Sequence, residues 1–315
     1  MTQASSGVRQ AAGVPDPVFY FNGSSTTGMV TETTIETATL DFSAVRVGDG
    51  DQYALLFHGF PDDPGTFLPL MERLADAGYT AIAPYMRGYG ETGRPTLVPK
   101  NYAITQLGSD ILALKAAVGA EQPVVVGHDW GAIAVSAVAR LDPSFAKACV
   151  TMAVPPDFAR AFQANPMQAM RSWYMSFFQI PGLAEETLRR DDFALIERLW
   201  QLWSPNWNYP DRRIESVRET FRTGQTVEAA LCYYRAFFQE FLSRPVEQLA
   251  ISGISVPTLL LAGRNDGCIG AGMFEQSHTC YDGRHRTEIL QNAGHFMHQE
   301  KPDTVADAVL AFVRD

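Results

Sequence analysis

The sequence predicts an α/β fold: a mostly parallel sheet covered by helices on both faces, with a helical lid inserted into it. Three observations predict it. Short apolar runs alternate with segments of helical period. Runs such as VVV at 124–126 and TLLLAG at 258–263 carry no polar face, so both sides of their sheet must be covered. Between 156 and 249 that alternation stops, and helical, aromatic-rich segments replace it.

Taken in order, residues 1–28 are rich in Ser, Thr, Gly and Gln, the composition of a flexible extension. IETATLDFSAVRV (35–47) alternates apolar and polar residues and reads as strands. YALLFHGF (53–60) is a buried strand running into a loop at His58-Gly59. FLPLMERLADAGY (67–79) has helical spacing and a glycine stop at Gly78. YTAIAPY (79–85) is the next buried strand, and ITQLGSDILALKAAVGA (104–120) an amphipathic helix ending at Gly119. PVVVGHD (123–129) is a strand, WGAIAVSAVARLDP (130–143) its helix, and KACVTMAVP (147–155) another strand. RSWYMSFFQ, FALIERLWQLW and TVEAALCYYRAFFQEF form the helical insertion. VPTLLLAGRND (256–266) resumes the strand pattern, and TEILQNAGH (287–295) with the helix TVADAVLAFVRD (304–315) closes the chain. The expected division is a core of 29–155 and 250–315, with a helical cap at 156–249.

Composition narrows the function classes. The chain has 315 residues, 46% hydrophobic and 19% charged, enough for a large core. A formal net charge of −10 without a basic patch argues against nucleic acid. No apolar run approaches the roughly 20 residues of a spanning helix, and the first residues lack the apolar stretch of a signal peptide. Cys149, Cys232, Cys268 and Cys280 are scattered, with no CxxC pair or disulfide framework. The expectation is a reduced, cytoplasmic protein that neither crosses nor binds a membrane. Oligomeric state is not legible, and a homodimer is compatible with the sequence.

The chemistry starts at GHDWG (127–131), a small-x-acid-x-small turn between a strand and a helix. Gly127 and Gly131 allow the close approach, and Asp129 projects at a helix N-terminus, where the dipole favours its charge. A carboxylate is already an anion at neutral pH. It can displace a leaving group from an sp³ carbon without a base, forming an ester of the enzyme that water must then hydrolyse. A helix-capping aspartate would explain GHDWG alone. It does not explain Asp266 in AGRND (262–266) and His295 in NAGHF (292–296), each following an apolar strand. Asp266 would accept the Nδ1 proton of His295, leaving Nε2 to activate water. HGFP (58–61) supplies the loop where the backbone N–H groups of Phe60 and Trp130 would form an oxyanion hole.

Over nearly all of 35–315 the sequence resembles the α/β-hydrolase superfamily, and specifically the epoxide hydrolases, through HGFP, MRGYG, GHDWGA, GRND and AGHF. The resemblance implies two lid tyrosines that hold the oxirane oxygen. They match Tyr174 in YMSFFQIPG and Tyr234 in CYYRAFF, with Tyr233 rejected. Two phenolic donors suit an alkoxide leaving group. It further implies a pocket lined by Trp130, Trp173 and Phe178, a small apolar epoxide and water as reactants, and neither cofactor nor metal. The two alternatives are a haloalkane or haloacid dehalogenase, with Trp130 and Trp173 holding the halide, and a non-catalytic ligand-binding member of the fold. Phe60 and Trp130 stand where dehalogenases often use Asn and Arg. Tyr85 departs from the family by replacing an Asp and is read as structural. His298, three residues after His295, lacks a carboxylate at ligand spacing. His128 should pack beneath the nucleophile, Asp157 should be a hinge or helix cap, and Asp62 and Asp63 should be turn residues.

Overall fold

The apolar runs become the middle of one twisted sheet. The computed structural model describes residues 8–10, 29–244 and 253–314. Among these, nine strands are β1 (Val8–Gln10), β2 (Thr31–Glu36), β3 (Asp41–Val47), β4 (Gln52–Phe57), β5 (Tyr79–Pro84), β6 (Val124–His128), β7 (Ala148–Met152), β8 (Thr258–Gly263) and β9 (His285–Leu290). Their order is β1-β2-β3-β5-β4-β6-β7-β8-β9. The pairings from β5 through β9 are parallel, and those from β1 to β5 antiparallel. The sheet is therefore mostly parallel. β1 pairs Val8 with Ile35, inside a stretch where the sequence suggested no element. The rest of 1–28 lies outside the described residues.

Side chains alternate across the sheet with the period of two that a strand imposes. Leu55, Val125 and Leu260 enter one core layer, beneath α2 (Ile104–Ala117) and α3 (Trp130–Leu141). Leu56, Val124, Val126, Leu259 and Leu261 enter the other. That layer is closed by Leu70, Met71 and Leu74 of α1 (Leu68–Asp76) and by Val305, Val309 and Phe312 of the C-terminal helix Pro302–Arg314. Burial on both faces explains why these strands carry no polar alternation.

Between β7 and β8 the chain runs through α4 (Phe158–Ala164), α5 (Met167–Arg171), α6 (Trp173–Phe177), α7 (Leu183–Trp203), α8 (Asp211–Arg222) and α9 (Thr226–Ser243). α7 breaks at 190–193, where Asp191, Asp192 and Phe193 have φ of 49°, 55° and 62°. Residues 245–252 lie outside the described residues, so the second boundary of the insertion does too. The insertion is tied to loops that follow the C-terminal ends of the parallel strands. Trp200 Nε1 donates to Pro61 O at 2.9 Å, Tyr233 Oη to Arg87 O at 2.9 Å and Arg171 Nη1 to Asp266 O at 2.6 Å. That edge is where open α/β sheets place their ligands. No helix among the described residues is long and apolar enough to cross a membrane. The four cysteines are unpaired and buried.

Candidate active site

Asp129 occupies the single step between β6 and α3, with φ 51° and ψ −115°. A residue with a Cβ adopts such a backbone only where its surroundings enforce it. Here two glycines do. A Cβ on Gly127 would strike the Gly131 backbone, and one on Gly131 would strike the Phe57 carbonyl. The turn holds the Asp129 side chain against the HGFP loop, where a Cβ on Gly59 would collide with the carboxylate. Phe60 N–H donates to Asp129 Oδ1 at 2.8 Å, and the Trp130 backbone N–H, next in the chain, also favours the ionised carboxylate. Burial raises the Asp129 pKa above the ordinary range, an effect that His295 and these two N–H groups partly offset.

Asp266 sits just beyond β8. Its Oδ1 accepts from the N–H groups of Cys268 and Ile269 at 2.7 and 2.8 Å. Its Oδ2 lies 2.9 Å from His295 Nδ1. Beside a carboxylate Nδ1 carries the hydrogen, so Nε2 keeps a lone pair. That Nε2 has no hydrogen-bond partner among the described residues and lies 3.8 Å from Asp129 Oδ2. The His295 backbone is held from both sides: its N–H donates to Trp203 O at 3.1 Å, and its carbonyl accepts from His128 Nε2 at 3.0 Å. Burial opposes protonation of His295, but Asp266 and Asp129 outweigh it and raise the pKa. Three residues distant in sequence thus meet in one group.

An apolar cavity opens over Asp129, with about 330 Å³ of empty space including its open mouth. Trp130, Tyr174 and Tyr234 line it. Tyr234 lies on α9 with its ring 5.0 Å from that of Trp130, and its hydroxyl has no partner. The Trp130 indole N–H leans toward that oxygen without reaching hydrogen-bond geometry. The adjacent Tyr233 hydroxyl instead donates to the Arg87 carbonyl. Tyr174 lies on α6, its ring 5.7 Å from that of Tyr234, and its hydroxyl is 3.3 Å from Cys268 Sγ.

Two expected pocket residues are placed differently. Trp173 is 46% exposed and outside the cavity lining, so it neither shapes the pocket nor supplies the second halide donor that dehalogenation would use. α6 is a single short turn, and packing turns Tyr174 inward while its neighbour faces out. Phe178 is fully buried behind the cavity, stacked edge-on against Phe60 and Tyr234. The cavity wall also contains Val154, Phe158, Met175, Phe237 and Ile269, which sequence reasoning missed. No pattern marks them: Phe158, Met175 and Phe237 are apolar residues of the helical insertion, and Val154 and Ile269 sit in loops after β7 and β8, where apolar residues serve core and pocket alike.

Asp62 and Asp63 are not simple turn residues. Both are fully buried and paired with Arg213 of α8, Asp63 at 3.0 Å. Asp63 also caps a short helical turn through Gly65 N–H at 2.7 Å and accepts from Ser216 Oγ. Burial, partly offset by Arg213, pushes Asp62 up to about 7. His298 does meet a carboxylate in space: one ligand atom each of Asp62, His128 and His298 lies within 4.8 Å of the others. The Arg213 guanidinium already sits on Asp62, which disfavours a second cation there. Asp157 caps α4 through Arg160 N–H at 3.3 Å.

The family model described as the alpha/beta hydrolase fold matches residues 55–302. The chain belongs to the α/β-hydrolase fold family. Epoxide hydrolase A of Mycobacterium tuberculosis is 30% identical over 91% of this chain and 98% of that protein. Human epoxide hydrolase 4 is 27% identical over 89% of this chain and 78% of its own. Among solved structures, epoxide hydrolase A from Mycobacterium thermoresistibile superposes with a TM-score of 0.77 at 28% identity, covering 91% of this chain and 98% of that one. Asp129 stands at the strand-to-helix turn between β6 and α3, inside the residues that this family model matches.

Proposed function

We propose that this α/β hydrolase is an epoxide hydrolase, opening a small apolar epoxide to a vicinal diol. One observation carries the reading. A carboxylate and two phenols line one apolar cavity, and the Nε2 of a buried histidine lies 3.8 Å from that carboxylate, a set that suits attack at an sp³ carbon followed by ester hydrolysis. The helices from α4 to α9 serve as its cap.

In the first half-reaction Asp129 Oδ2, the oxygen not held by Phe60 N–H, attacks an epoxide carbon. The C–O bond breaks, and its electrons go to the oxirane oxygen, which takes hydrogen bonds from Tyr174 and Tyr234 and a proton from one of them. The product is a hydroxyalkyl ester of Asp129. In the second half-reaction His295 Nε2 takes a proton from water, and the hydroxide attacks the ester carbonyl. The N–H groups of Phe60 and Trp130 hold the resulting oxyanion at Oδ1. Asp266 fixes the His295 tautomer and stabilises the imidazolium. Collapse expels the diol oxygen, which takes the proton of the Asp129 carboxylic acid formed with it, and the proton held by His295 returns through solvent to the phenolate, so carboxylate, imidazole and phenol are all restored.

A panel of apolar epoxides and alkyl halides assayed side by side tests the reading. Diol formation without halide release is the expected outcome. Halide release with no diol from any epoxide would assign the same nucleophile to dehalogenation.

A further inference from the structure

Cys268 has no part in the reaction as written, yet it is placed against one of its donors. Its side chain is fully buried, and Sγ lies 3.3 Å from Tyr174 Oη. Its backbone is fixed twice over. Its N–H donates to Asp266 Oδ1 at 2.7 Å, and its carbonyl accepts from Gln168 Nε2 at 2.7 Å. Gln168 also accepts from Gly270 N–H at 3.0 Å, so α5 clamps the whole turn that follows the acid. The thiol is therefore held in register with both Asp266 and Tyr174.

The direction of the Cys268–Tyr174 contact matters. A phenol that donates to sulfur spends its only hydrogen there and meets the oxirane oxygen with lone pairs. A thiol that donates to the phenol oxygen leaves the phenolic hydrogen free to point into the cavity. The thiol has a hydrogen to give. Burial, with Asp266 and Asp129 nearby, pushes its pKa well above the ordinary value, so it is no thiolate at neutral pH.

We propose that Cys268 is a positioning residue for Tyr174, its S–H donating to the phenol oxygen and aiming the phenolic hydrogen at the oxirane oxygen. The proposal rests on the role given to Tyr174 above. It also explains an asymmetry between the two phenols. Tyr234 has no competing acceptor and needs no such partner, whereas Tyr174 sits against a sulfur that could otherwise capture its hydrogen.

The test compares Cys268→Val, which removes the donor and keeps the site filled with apolar atoms, one methyl group more than the thiol, with Cys268→Ser, which keeps a donor, and Tyr174→Phe. Alkylation and ester hydrolysis are timed separately in single turnovers with an epoxide that the wild-type enzyme opens. Cys268→Val should slow alkylation about 5- to 10-fold, the size of one neutral hydrogen bond, and leave ester hydrolysis unchanged. Cys268→Ser should restore alkylation, and Cys268→Val should have no further effect in a Tyr174→Phe background. Should Cys268→Val fold poorly, Cys268→Ala carries the same comparison. Wild-type alkylation by Cys268→Val together with slow alkylation by Tyr174→Phe would overturn the role of Cys268 alone. Wild-type alkylation by Tyr174→Phe would overturn the reading of Tyr174 and this proposal with it. A Cys268→Val defect that persists undiminished in the Tyr174→Phe background would also overturn it, as general loosening of the turn.

Discussion

Tyr233 and Tyr234 are adjacent on α9 and equally buried, yet their hydroxyls meet different surroundings, so replacing each by Phe gives opposite outcomes. Tyr234 Oη donates to no group among the described residues. Its removal strands no partner, so stability should change by less than about 0.5 kcal/mol. Tyr234 also lines the cavity over Asp129, and a lost donor to a developing alkoxide is worth about 3 kcal/mol. Alkylation should therefore slow on the order of 100-fold. Tyr233 Oη donates at 2.9 Å to the buried Arg87 carbonyl. Tyr233→Phe leaves that carbonyl unpaired and should cost about 1–2 kcal/mol of stability, while alkylation stays within about 3-fold of wild type. Urea unfolding measures the first quantity in both variants. Stopped-flow fluorescence measures the second, because the Trp130 indole lies beside both Asp129 and Tyr234 and should respond when the ester forms. Fast alkylation by Tyr234→Phe with slow alkylation by Tyr233→Phe would show that the wrong phenol of the pair had been assigned.

Three further outcomes are expected. His295→Gln should alkylate but not turn over, so an Asp129 ester should accumulate and be visible by intact mass; a variant that releases diol steadily without adduct would argue against a covalent route. Ester hydrolysis should fade as pH falls through the His295 pKa, which Asp266 raises and to which Asp129, once esterified, no longer adds, because protonation removes the Nε2 lone pair. Asp266→Asn should move that limb to lower pH as well as slow the step, and single-turnover pH profiles read both effects. Arg213→Leu would leave Asp62 and Asp63 buried without their cation and should cost about 3–5 kcal/mol in denaturant unfolding; a loss below about 1 kcal/mol would mean that the pair contributes little to holding the insertion on the core.

Much of this protein is written locally. Apolar runs of five or six residues alternating with helical periods point to a mostly parallel sheet, because the helices that connect parallel strands cover both of its faces. Gly127 and Gly131 around Asp129 announce a close strand-to-helix step, because the backbone approach they permit is a property of two or three residues. The order of Asp129, Asp266 and His295 after three parallel strands, β6, β8 and β9, is equally legible, as parallel strands deliver their following loops to one edge. What packing alone decided lies where distant segments meet or where an element is too short to have a period. Arg213 reaches Asp62 and Asp63 from the far side of the insertion, and nothing near HGFP signals a buried cation partner. Cys268 and Tyr174 come from a core loop and an inserted helix. In α6 only five residues are helical, so Trp173 and Tyr174 look equivalent in sequence. Which of the two turns inward depends on the walls already there: Trp203 and Phe178 accept the Tyr174 ring, and Trp173 is left facing solvent.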